Sequence, residues 1–122
     1  MSDKRKGRAS ALFDDAAFAE DLNRASEAAR VVALAARKDY EQGGVPTEQL
    51  LACEEEGQEG TALGNCVKIR IPHPDGKFGM VFRIEQRGGK LLLVYAAFGV
   101  RHHPPRATAP TVYEVAHRRL NG

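Results

Sequence analysis

Cysteine is scarce in this sequence. Cys53 and Cys66 stand without a CxxC partner, so neither a zinc site nor a disulfide framework is indicated. Long hydrophobic runs are missing as well. No stretch approaches the roughly 18 apolar residues of a membrane-spanning helix. The N-terminal MSDKRKGRAS lacks the apolar segment of a signal peptide, so a cytoplasmic protein with no membrane contact is expected. There is no internal repeat, no phosphate-cradling glycine loop, no GxSxG and no HExxH. Four histidines are present, but the adjacent His102 and His103 diverge in direction and no carboxylate or cysteine stands at ligand spacing. Neither a metal nor a cofactor is expected.

What remains is the make-up of an ordinary globular protein. At 122 residues the whole chain, 1–122, reads as one domain able to bury a sizeable core. A composition 43% hydrophobic and 28% charged argues against disorder. The net charge of +2 hides an asymmetry. Residues 1–62 carry eight Lys and Arg against thirteen Asp and Glu, a balance of −5. Residues 63–122 carry ten against three, a balance of +7, and hold all four histidines. The second half is the surface expected to meet a polyanion.

Residues 1–10, with Lys4, Arg5, Lys6 and Arg8, read as a flexible tail. Ala11-Leu12-Phe13 is a brief apolar touch that suits an edge strand, and Asp14 or Asp15 offers a helix N-cap. Phe18, Leu22, Ala25, Ala29, Val32 and Ala36 then recur at spacings of four and three, one stripe along a helix. Ser26-Glu27 supplies a second cap, so one long helix or two joined by a bend near residues 23–26 both fit. Gly43-Gly44 ends the segment, and Pro46-Thr47 restarts a short helix through Cys53. Glu54-Glu55-Glu56 and the glycines after them read as a solvated connector.

Residues 63–101 carry the organising pattern. Val67, Ile69 and Ile71 alternate with Lys68 and Arg70, which puts the apolar three on one strand face and the two cations on the other. Phe78, Met80, Phe82 and Ile84 repeat the apolar register, with Gly79, Val81 and Arg83 opposite. Residues 91–98 are apolar on both faces, as in a central strand covered on two sides. Turn chemistry at His73-Pro74-Asp75-Gly76 and Arg87-Gly88-Gly89 joins the three into an antiparallel meander. The expected product is a sheet with one greasy face and one open, basic face. A loop over 100–110 with three prolines follows, and then a helix over 111–120. On that helix Val112, Val115, Ala116 and Leu120 form the apolar side, with Tyr113 and His117 on one flank.

This succession resembles the RelE/ParE toxin superfamily, and in particular its RelE-like mRNA interferases. The residues that carry the likeness are Leu63-Gly64, Lys68-Ile69-Arg70, Val81-Phe82-Arg83-Ile84, the LLLVYAAFGVR segment and the final VYEVAHRRL, about 50 of the 122 residues. The resemblance implies an α+β fold, with N-terminal helices packed on one face of a small antiparallel sheet and a short C-terminal helix. It implies a toxin that cuts mRNA in the ribosomal A site without metal, the ribose 2′-hydroxyl attacking the adjacent phosphorus. A cognate antitoxin would be its partner, with DNA contacted only through the antitoxin complex. By the same resemblance Lys68 and Arg70 match a basic pair on a strand, Arg101 the arginine of a Gly-x-Arg motif, and Tyr113 a C-terminal tyrosine that orients a base.

The sequence departs from the family at two points, one of them the loop before Tyr113, which is longer than usual. Where many relatives hold a phosphate-gripping arginine after an aromatic residue, Phe78 is followed by Gly79. Either another cation (Lys77, Arg83 or Arg106) fills that role, or catalysis is weakened. His102, His103 and His117 are candidates for proton work. The second functional expectation is a ParE-like gyrase inhibitor, or a degenerate toxin kept as a binding module.

Overall fold

The computed structural model describes residues 7–53, 65–73, 76–101 and 111–121. In chain order they form β1 (Arg8–Leu12), α1 (Asp15–Arg24), α2 (Glu27–Gly43), β2 (Val45–Pro46), a 3₁₀ turn (Thr47–Gln49) and β3 (Leu51–Ala52). After these come β4 (Cys66–His73), β5 (Gly76–Arg87), β6 (Lys90–Val100) and α3 (Val112–Asn121). The fold is α+β, as expected.

Local chemistry sets the boundaries. Asp14 caps α1 by accepting from the Ala17 amide, and Ser26 caps α2 by accepting from the Ala29 amide, so the helical stretch is two helices with an elbow between them. Gly44, at φ 77°, ends α2 in a conformation that side chains rarely adopt. The β5–β6 hairpin closes through Gly88 and Gly89 at φ 58° and 78°, a pair of positive angles that suits a two-residue turn.

The sheet is larger than a three-stranded meander. Its order is β2-β1-β6-β5-β4-β3, antiparallel throughout except where β1 runs parallel to β6. The strand expected near residues 11–13 starts inside the basic tail, at Arg8, and lies between two neighbours rather than at an edge. The short helix expected from Pro46 through Cys53 is replaced by two two-residue strands around the 3₁₀ turn. These strands are the opposite edges of the sheet, yet only residues 47–50 join them. The five steps from Pro46 to Leu51 reach at most about 18 Å, so the sheet curls until its edges come near one another.

One core lies between the sheet and the first two helices. Ile69, Phe78, Met80, Phe82, Leu93, Tyr95 and Phe98 meet Phe13, Phe18, Ala29 and Ala33, with Leu22 and Val67 packed partly against them. The α2 stripe turns through Ala33 and Tyr40 where the sequence pattern had favoured Val32. Phe98 joins Leu93 and Tyr95 in this core because of a bulge. Val81 pairs with Ala97 and Phe82 with Tyr95, so Ala96 is the extra residue and the alternation slips by one.

The other face is not open, which corrects the expectation of an uncovered basic surface. Helix α3 lies on it, and Val112, Tyr113, Val115 and Ala116 form a second core with Cys53, Cys66, Val81, Ala96 and Ala97. The bulge presents two alanines side by side there, leaving room for a helix to approach closely. Burial of the apolar side of α3 is the physical reason the face closes. Lys68, expected to face solvent, is 2% exposed.

A buried ion pair seals the remaining edge. Pairing of β1 with β6 stops at Leu12 and Val94, and no other described strand pairs with the rest of that β6 edge. Asp21 accepts from the Phe98 amide at 3.0 Å, and Arg119 Nη1 donates to the Ala96 carbonyl at 2.8 Å. The two side chains stand where a neighbouring strand would satisfy the same groups. None of the described helices is long and apolar enough to cross a membrane.

Candidate nucleic-acid interface

The register of β4, β5 and β6 places the expected site residues in two rows across the second face. Lys68 stands opposite Val81, and Val81 opposite Ala97. The next row is Arg70, Gly79 and Gly99. Side chains directly opposite in a ladder point to the same side, so Lys68, Arg70 and Gly79 share the face that carries α3. Arg101 continues the β6 end of the ladder, its amide donating to the Lys77 carbonyl at 2.8 Å.

Above these rows the side chains converge. Lys68 Nζ lies 5.3 Å from the centre of the Tyr113 ring, a cation–π contact inside the second core. The stem of Arg101 crosses Gly79. A Cβ on residue 79 would stand 2.9 Å from Arg101 Cγ, 3.2 Å from its Cδ and 3.6 Å from Val112 Cγ1. The missing side chain at Gly79 is therefore room taken up by Arg101. The Arg101 Nε is buried and makes no hydrogen bond among the described residues. Arg70 and Lys77 are exposed beside it, and His117 is half-buried one turn along α3 from Tyr113.

Lys68, Arg70, Arg101 and Tyr113 are thus brought together, and Lys77 lies at the same end of β5. Arg83 is on the same face but beyond Val81, where its guanidinium pairs with Glu85; Arg87 holds the same carboxylate at 3.0 Å. Those bonds from Arg83 and Arg87 hold the Glu85 carboxyl below its usual range. His102, His103 and Arg106 lie outside the described residues. So do the 54–64 connector and Leu63-Gly64. Among the described residues no three His, Cys, Asp or Glu side chains gather to hold a metal ion.

Sequence reasoning missed two features. The first is the Asp21 network: Asp21 Oδ2 takes Tyr95 Oη at 2.5 Å, Arg119 holds both carboxylate oxygens at 2.8 Å, and Arg24 adds a bond of 2.7 Å. Its signal was an acid on the buried stripe of α1, three residues after Phe18 and four before Ala25. Burial first, and then the Asp21 charge, push the Tyr95 hydroxyl well above its usual range. The second is the meeting of Cys53 with Cys66, which only the β3–β4 register reveals.

Compared with protein-family models, curated proteins and solved structures, the chain matches none. What the site can do rests on its own geometry.

Proposed function

We propose that this chain is a toxin-like, ribosome-dependent mRNA endonuclease of a toxin–antitoxin pair, acting in the cytoplasm. The observation that carries the reading is the convergence of Lys68, Arg70, Arg101 and Tyr113 on one face of the sheet. Cleavage by an attacking 2′-hydroxyl needs cations for the extra negative charge on phosphorus, a proton acceptor and a hold on the splayed nucleotide. Arg70 and Arg101 supply the cations at the mouth of the site, with Lys77 beside them. A guanidinium whose Nε has no acceptor among the described residues is suited to a phosphate oxygen. With a shift of α3, Tyr113 would offer its ring to a base and Lys68 would hold that ring, while His117 lies one turn along α3 from Tyr113. A cognate antitoxin would silence the site by covering Arg70, Lys77 and Arg101.

Induction in a translating extract, followed by mapping of mRNA 5′ ends, tests this reading. Cuts at fixed codon positions are expected, and intact mRNA would overturn it.

One observation favours a second reading, a gyrase-inhibiting or catalytically degenerate toxin that works as a binding module. Lys68 and Tyr113 are occupied with each other beneath α3, at 2% and 4% exposure, so a nucleotide reaches them only if α3 shifts. Gyrase-dependent DNA breaks without mRNA cuts would select that reading.

A further inference from the structure

The two cysteines lie far apart in the acidic-to-basic crossover of the sequence, but the fold sets them face to face. Leu51 pairs with Lys68 and Ala52 with Val67, so the next antiparallel partners are Cys53 and Cys66. The Cys53 amide donates to the Cys66 carbonyl at 3.4 Å, which extends the ladder by that step. Facing residues share a side of the sheet, and both thiols lie in the second core, Cys53 fully buried and Cys66 4% exposed. Residues opposed across an antiparallel ladder have Cα atoms about 4.5–5.5 Å apart, inside the range that a disulfide spans.

We propose that Cys53 and Cys66 are an oxidation site: a hydroperoxide converts the two thiols to an intramolecular disulfide that staples the edge strand β3 to β4. The chemistry balances with hydrogen peroxide as the oxidant. The Cys66 thiolate attacks one peroxide oxygen and breaks the O–O bond, giving a sulfenic acid and, after protonation, water. The Cys53 sulfur then attacks the sulfenyl sulfur. Hydroxide leaves, takes up the Cys53 proton and becomes a second water. Two thiols are oxidised and one peroxide is reduced.

Cys66 is the first to react because Arg83 stands directly opposite it on β5. Burial pushes the Cys66 thiol up, and the Arg83 charge pulls it back toward the thiolate. Cys53 sits just past the two-residue strand β3, deeper in the second core than Cys66. The inference is independent of any activity on RNA.

The test uses the full chain, treated with hydrogen peroxide near neutral pH, then unfolded and alkylated. The expected product is a monomer lighter by two hydrogens, with neither cysteine alkylated until a dithiol reductant is added. Cleavage after Glu54, Glu55, Glu56 or Glu59 separates the two cysteines, so the unreduced digest should contain one linked peptide pair. The oxidised chain should melt on the order of 5–10 °C higher. Cys53→Ser should leave Cys66 as a trappable sulfenic acid, while Cys66→Ser should leave Cys53 unoxidised. Two alkylatable cysteines after treatment of the unmodified chain would overturn the proposal, as would cross-linked dimers or added oxygen in place of the internal bond. That measurement stands even if a serine variant does not fold.

Discussion

Asp21 and Arg119 face each other through two parallel N–H···O bonds of 2.8 Å, joining α1 to α3 across the open edge of β6. The carboxylate has no exposed surface, and Arg119 is still held charged: burial works against its charge, and bonding to Asp21 more than reverses that. Removing Asp21 strands Arg119 and the Phe98 amide, and removing Arg119 strands Asp21 and the Ala96 carbonyl. Asp21→Ala should therefore cost about 3–5 kcal/mol in urea unfolding. A loss under about 1 kcal/mol would mean that solvent already reaches the pair.

Tyr95 makes the same network sensitive to alkali. An ordinary tyrosine ionises near pH 10, and Tyr95 is held well above that in the folded chain. Above about pH 10 the unfolded chain gives up this proton while the folded chain keeps it, so stability falls as pH rises. Below that pH the contribution is fully present. Tyr95→Phe should lower stability at neutral pH by about 1–3 kcal/mol through the lost bond to Asp21. It should also flatten the decline between about pH 9 and 11. An unchanged alkaline slope in the variant would refute the assignment.

Much of this architecture is written in local pattern. Alternation along residues 67–71 and 78–84 placed each side chain on its correct face, and Ser26 and the Gly88-Gly89 pair marked a cap and a turn. Those signals are short-range. What alternation does not carry is which element covers a face, because that is decided by long-range packing. The same cations that read as an exposed face, Lys68 above all, are buried once α3 docks. The bulge at Ala96 is equally silent in sequence, since the run around it is apolar on both sides. β3 is hidden in the sequence because Pro46-Thr47 is a sound helix start, and two-residue strands leave no period to detect. The site residues were legible as a set because they fall in register; the filling of the space over Gly79 by Arg101 was not.

Lys68 separates packing from chemistry. Its stem fills the second core, and its ammonium contributes a contact with Tyr113 of about 0.5–2 kcal/mol. Lys68→Met keeps the length and apolar character of the stem, so the chain should fold with a loss of no more than about 2 kcal/mol. If the proposed cleavage uses the charge, mRNA cutting should still fall by about 10²-fold. Full cutting by a stable Met variant would leave Lys68 a packing residue only.

The sharpest prediction concerns Gly79 and Arg101. If the chain is read as the proposed RelE/ParE-like toxin, a glycine at the place of that family's arginine invites the idea that Gly79→Arg would supply a phosphate grip. The geometry argues the reverse. Any side chain at residue 79 begins 2.9 Å from Arg101 Cγ, closer than carbon atoms tolerate, and Val112 closes the other side. The Arg101 stem would have to leave the surface of β5, taking its guanidinium with it. Gly79→Arg and the smaller Gly79→Ala should both reduce cleavage, in the direction of the roughly 10²–10³-fold loss expected for Arg101→Ala. Gly79→Ala on an Arg101→Ala background should then add little further loss, because the group it displaces is already gone. A gain of cleavage in Gly79→Arg would show that Arg101 can move aside without cost. An equal drop for Gly79→Ala with and without Arg101 would show that the glycine serves the RNA directly.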